Sequence, residues 1–241
     1  MQDRYTGDAG DYTKLALLRA LAPGRHLGVA WYLHPDEHHN EDGKHIAYLQ
    51  DSDRWRALDP DLFDALGRIV AGNRSVAALH ESGVLSAHSF DRPVPDARVA
   101  PGDRCVARGK WFSDALAALT TCNLIFADPD NGLVDDNPER RRSRTFGKQL
   151  PLCEAQALAD GRPAIIYHHN TRFVGGHDLE VDHWLNEFEH ALAIRSNAYS
   201  CRTFFIVNPD RELTDRTEQF CARWSDHGVW MHRPRAINLA A

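Results

Sequence analysis

Several short runs in this sequence are apolar from end to end and do not alternate with polar residues. Leu124-Ile125-Phe126-Ala127 and Ala164-Ile165-Ile166-Tyr167 are the clearest. A surface strand shows one apolar and one polar face. A strand apolar on both faces needs cover on both, which is the mark of a sheet buried between helix layers. Strands are expected at 27–33, 86–90, 123–127, 163–168, 203–207 and 229–232. Helices are expected between them, at 12–21, 59–70, 75–83, 111–121, 145–160, 181–195 and 214–225. Asp11 or Thr13 can cap the first helix, and Asp59-Pro60 opens the second. Val181, Trp184, Leu185, Phe188 and Leu192 share one helical face over 181–195. Residues 34–44, 92–104 and 128–144 read as loops. The alternation predicts one α/β domain over residues 1–241, a three-layer Rossmann-like fold with a mostly parallel sheet and helices on both faces.

Composition narrows the function classes. The net charge of -6 excludes a basic nucleic-acid coat, so an anionic partner must meet a local patch. The five cysteines are widely spaced with no C-x-x-C pair, which argues against a disulfide framework and a cysteine-only zinc site. The first residues form no apolar signal region, and no run approaches the length that spans a bilayer. A cytoplasmic protein that does not enter the membrane is expected.

In open α/β sheets ligands bind beyond the carboxyl ends of the strands. Three polar clusters follow expected strands there: His34 to His45, Asp128-Pro129-Asp130-Asn131-Gly132, and His168-His169-Asn170-Thr171-Arg172. Asp128 is the sharpest candidate. An apolar strand holds it at the mouth of the sheet and Pro129 restricts its backbone. A carboxylate so held can accept from a substrate amine, ligate a metal or act as a base. The same residue types also favour a plain turn. In the first loop Asp36, Glu37 and Asn40 are placed to line a pocket, and an acid after an early strand can take the ribose hydroxyls of a nucleotide. Alternation sends one of His168 and His169 into the packing and the other to the opposite face, so one can be structural and one can line the site. Arg140, Arg141, Arg142 and Arg144 form the only dense basic run, suited either to phosphate contact or to pairing with Asp135, Asp136 and Glu139. Gly7 and Gly10 precede a helix start, where backbone N–H groups can meet an anion.

Ala9-Gly10-Asp11 with Lys14, and Leu124-Ile125-Phe126-Ala127-Asp128-Pro129-Asp130-Asn131, are similar to two motifs of one family. They resemble the Ala-Gly-Asn segment and the Asp-Pro-Pro-Tyr motif of the adenine-N6 ribosomal-RNA methyltransferases of the class I S-adenosylmethionine-dependent fold. Asp130-Asn131 stands in place of Pro-Tyr, so the base-stacking aromatic is missing. The Gly-rich turn after the first strand is replaced by the loop after Leu33. The resemblance implies S-adenosylmethionine as cofactor and a nucleic acid or nucleotide as acceptor. It implies Asp128 on the acceptor amine with Asp130 and Asn131 beside it, and Lys14 near the cofactor. Position after the strands adds His169 to the catalytic side and Asp36, Glu37 and Asn40 to the cofactor side.

Two other readings stand beside it. One is a phosphodiester hydrolase in which Asp128 and Asp130 hold a divalent metal with His38, His39 or His169. The other is a non-catalytic binding module.

Overall fold

The computed structural model describes residues 1–37, 43–137 and 139–234. The chain opens with helix α1 (Ala9–Leu21), strand β1 (Leu27–Ala30) and the single helical turn α2 (Ser52–Trp55). Helices α3 (Pro60–Ala71) and α4 (Val76–Glu81) lead to β2 (His88–Phe90), followed by α5 (Arg104–Ala118) and β3 (Leu124–Ala127). Next come β4 (Gly132–Val134), β5 (Gln149–Pro151), α6 (Leu152–Leu158) and β6 (Ala164–His169). The last third holds α7 (His177–Leu185), β7 (Ala191–Ser196), β8 (Arg202–Val207), α8 (Arg211–Trp224) and β9 (Val229–Met231). Among the described residues no helix is long and apolar enough to cross a membrane.

The main sheet has seven strands in the order β2-β1-β3-β6-β8-β7-β9. The four strands from β2 to β6 run parallel. β8 is antiparallel to both β6 and β7, so β7 points the same way as the parallel four. β9 is antiparallel to β7. Five of the seven strands therefore share one direction, and the mostly parallel three-layer α/β fold is observed.

The two-faced apolar strands explain the layers. Leu124 and Phe126 of β3 pack with Leu15, Leu18, Leu66 and Trp224, from the helices of one side. Ile125 and Ala127 pack with Trp111, Ala115, Leu158 and Val181, from the other side. Each large apolar side chain so buried contributes roughly 1.5–3 kcal/mol. Asp59 caps α3 through the Leu62 N–H with Pro60 in the first turn, and Ser75 caps α4 through the Ala78 N–H, as the sequence predicts. The cap of α1 differs: Asp8, and neither Asp11 nor Thr13, accepts the Asp11 N–H. Asp11 instead turns its carboxylate to Lys14 and the Gly7 N–H.

Three further expectations are corrected. The helix expected at 145–160 is a turn, then β5, then α6. Pro151 disfavours helix at the residue before it and lacks a donor, so the helix starts at Leu152. The helix expected at 181–195 ends at Leu185, and Ala191–Ser196 is a strand. Pairing with the wholly buried β8 overrides the helix propensity of that Ala/Leu segment. Helix α5 begins at Arg104, not Trp111, because Arg104 and Arg108 are buried on its inner face. The Arg104 guanidinium donates to the carbonyls of Ala97, Val99 and Arg142, and Arg108 pairs with Glu154.

Candidate functional site

The chain leaves β1 outwards to β2 and then crosses back to place β3 on the other side of β1. That reversal opens a crevice at the strands' carboxyl ends, where open α/β sheets take their ligands. A cavity of about 200 Å³ lies there. All three polar clusters supply lining residues: Gly43 and His45 from the first, Asp128 to Asn131 from the second, His169 from the third. The N-terminal segment closes the other wall with Tyr5, Asp8, Gly10, Asp11 and Lys14.

Asp128 continues the β3 pairing, its N–H donating to the Ala30 carbonyl at 2.9 Å. Its carboxylate accepts from Lys14 Nζ at 2.8 Å, and Lys14 lies 2.5 Å from Asp11. All three side chains are buried. Burial alone would discharge Lys14, but the Asp11 and Asp128 carboxylates outweigh it and its pKa is raised. For the two acids burial is the largest influence and raises both pKa values, and the one ammonium they share lowers them too little to offset it. Such a pair takes up a proton more readily than free carboxylates do.

Asp130 accepts from Gln2 Nε2 at 2.7 Å and lies 3.3 Å from Lys148. Burial would raise its pKa, but the Met1 amine, Gln2 and Lys148 outweigh burial and lower it. Asn131 is exposed at the rim, its N–H bonded to the Lys148 carbonyl. Tyr167, at the same wall, is pushed up to about 12 by burial.

The two adjacent histidines divide their roles. His168 is buried, and its Nδ1 accepts the Leu133 N–H at 3.0 Å, which leaves the Nε2 hydrogen for Glu180 at 3.2 Å. His169 lines the cavity, within 3.5 Å of the Tyr167 hydroxyl. Glu180 also accepts from Asn170 and from the Thr171 N–H and hydroxyl. Burial would raise the Glu180 carboxyl, but these hydrogen bonds from His168, Thr171 and Asn170 hold it at about 2.

A depressed carboxyl stabilises the fold above its unfolded pKa and ceases to do so as pH falls through its folded one. The Glu180 contribution is thus whole above about pH 4.5 and lost towards about pH 2. Glu180→Gln is expected to cost about 3 kcal/mol at neutral pH. It should also flatten the loss of stability across that acid window. Chemical denaturation along a pH series checks this; parallel curves for the two proteins would remove Glu180 from the account.

The other sequence candidates fall elsewhere. Asp36 accepts the Arg4 backbone N–H, and Glu37 pairs with Lys148; neither lines the cavity. Lys14 does line it, but as the partner of two acids. Asn40, His38 and His39 lie outside the described residues. Arg140 pairs with Asp135, Arg142 and Arg144 are exposed, and none of the three lines the cavity. The Arg141 side chain is outside the description. Among the described residues no cluster of three or more His, Cys, Asp or Glu is arranged to hold a metal ion.

Sequence reading missed Asp11, Tyr167, Lys148, Ser200 and Arg202. Arg202 starts β8, opposite His169. An antiparallel strand begins at the edge where its parallel neighbours end, so recognising the β7–β8 hairpin would have found it.

No protein-family model matches this sequence, and no curated protein matches it.

Proposed function

We propose that this chain is a methyltransferase-like enzyme that uses S-adenosylmethionine and acts on the amine of a nucleotide or nucleic acid. The observation that carries this reading is the charge of the crevice at the strand reversal. Four carboxylates line it (Asp8, Asp11, Asp128 and Asp130), and while the Met1 amine and Lys148 serve Asp130, the buried pair Asp11 and Asp128 shares the single ammonium of Lys14. Two buried carboxylates that share one cation favour a cationic or amine-bearing ligand. S-adenosylmethionine carries both a sulfonium and an ammonium, so this donor set fits it. When bound, it supplies the methyl group. Asp128, at the end of β3, is placed to orient the acceptor amine, and its raised pKa suits it to receive the departing proton. Lys14 holds that carboxylate in place. Asp36 and Glu37 have no part in the proposal, because their carboxylates are held by the Arg4 backbone and Lys148 outside the cavity.

The hydrolase reading is weaker on the same geometry. A divalent ion at Asp128 and Asp130 would have to displace Lys14 from one and Lys148 from the other.

Calorimetric titration with S-adenosylmethionine tests the proposal. The wild type should bind saturably, and Asp128→Asn, shown to be folded by circular dichroism, should still bind the cofactor but lose methyl transfer, because its carboxylate serves the acceptor amine. A wild type that gives no binding ends the methyl-transfer reading.

A further inference from the structure

We infer that the corner of the crevice between Gly10 and Arg202 is an oxyanion site that takes the terminal phosphate or carboxylate of a small ligand. Arg202 is 5% exposed and lines the cavity. A buried charge in a protein is normally paired. No carboxylate among the described residues forms an ion pair with this one. A guanidinium offers five N–H donors. The bonds Arg202 makes are to the Ala198 carbonyl at 3.2 Å and the Ser200 hydroxyl at 2.5 Å. Its buried Nε has no acceptor. Arg202 thus lines the cavity with no carboxylate partner and with donors unused.

A second donor without a partner lies on Gly10, which lines the same cavity. Helix α1 begins here. The Ala9 N–H donates to the His45 carbonyl, and the Asp11 N–H donates to Asp8. The buried Gly10 N–H between them has no acceptor among the described residues. Helix N-termini carry orphan donors and partial positive charge, and buried orphans of this kind are rare.

The two donors are brought together by the absence of a side chain. A Cβ on Gly10 would lie 2.8 Å from Arg202 Cζ and 2.8 Å from its Nη2. Glycine is therefore required for the guanidinium to cover the helix end. Asp8 Oδ1 is 3.0 Å from the same point, but it already accepts the Asp11 N–H. The proposed oxyanion would take the free guanidinium donors of Arg202, with the Gly10 N–H and the Ser200 hydroxyl beside it. Planar bidentate contact with carboxylate or phosphate is what arginine does better than lysine. The site rests on these donors alone and holds whether or not the chain binds S-adenosylmethionine.

Calorimetric titration of the wild type with inorganic phosphate and, separately, with acetate tests it at fixed ionic strength set with chloride. Saturable binding of either anion is expected. Phosphate alone indicates a phosphomonoester ligand, acetate alone a carboxylate, and both an oxyanion site open to either. Gly10→Ala and Arg202→Lys should each weaken the binding at least tenfold. Absence of saturable binding of both anions to the wild type overturns the inference without recourse to any variant. Unchanged binding in a folded Arg202→Lys overturns it as well, and neither result bears on S-adenosylmethionine binding.

Discussion

Lys14→Met should lower the melting temperature by about 10 °C at neutral pH. Methionine is unbranched and one atom shorter, so the substitution keeps most of the stem and removes the ammonium with its bonds to both acids. It leaves Asp11 and Asp128 buried and without their shared ammonium. Removing one partner of a buried ion pair costs roughly 3–5 kcal/mol, because the remaining charge cannot reach water. For a domain of this size each kcal/mol moves the midpoint by about 2–4 °C. The pH dependence separates this cause from lost packing. Both acids already have raised pKa values with Lys14 in place, and loss of the ammonium raises them further. An acid whose folded pKa lies above its unfolded one regains stability as pH falls through the folded value. The deficit of Lys14→Met should therefore shrink on mild acidification, where a packing defect would persist. Thermal melts along a pH series decide it: a deficit constant with pH sinks the electrostatic account. Neutralising all three residues together, with Asp11→Asn and Asp128→Asn added, should recover most of the stability. It should not recover ligand binding, which distinguishes what holds the site from what operates it.

That triad also shows how far the sequence could be read. Asp128 was legible because an apolar strand and a following proline define a rigid position at the sheet edge. The convergence of the three polar clusters was legible for the same reason, since each follows a strand. Lys14 was visible as a residue of the N-terminal helix, but its partners were not. Asp11 looks like a helix cap in one dimension and serves instead as a buried counter-ion. Arg202 was hidden by the reading of 181–195 as one helix. With no β7 there is no hairpin, and with no hairpin Arg202 is just a charge before a strand. Arg104 and Arg108 were hidden because the helix was expected to start at Trp111. Carbonyls and the Glu154 carboxylate satisfy them inside. In each case the missing information is a partner far away in the chain, which local pattern does not carry. The seven-stranded sheet, by contrast, follows from segments that each declare their own burial.

The turn after Asp128 supplies the other large expected effect. Gly132 has φ of +92°, and a Cβ there would lie 2.5 Å from His168 Nδ1 and 2.7 Å from His168 Cα. One of those atoms is backbone in the middle of the sheet, so it cannot step aside cheaply. His168 Nδ1 is also the acceptor of the Leu133 N–H, and its other nitrogen holds Glu180. A methyl group at 132 therefore pushes on the bond that fixes the Asp128–Gly132 turn and on the cluster behind His169. Backbone strain of about 1–3 kcal/mol adds to overpacking of about 1–3 kcal/mol. Gly132→Ala should lose about 4 kcal/mol in total. Gly24→Ala is the control. That glycine also has positive φ, +77°, but nothing lies within 4 Å of its added Cβ. It should show the backbone term alone, about 1 kcal/mol. Chemical denaturation of both variants measures the difference. Equal losses would mean that His168 yields to the new methyl and that the turn is not pinned from behind. A loss several times larger in Gly132→Ala would show that the turn after Asp128 is pinned from behind by His168.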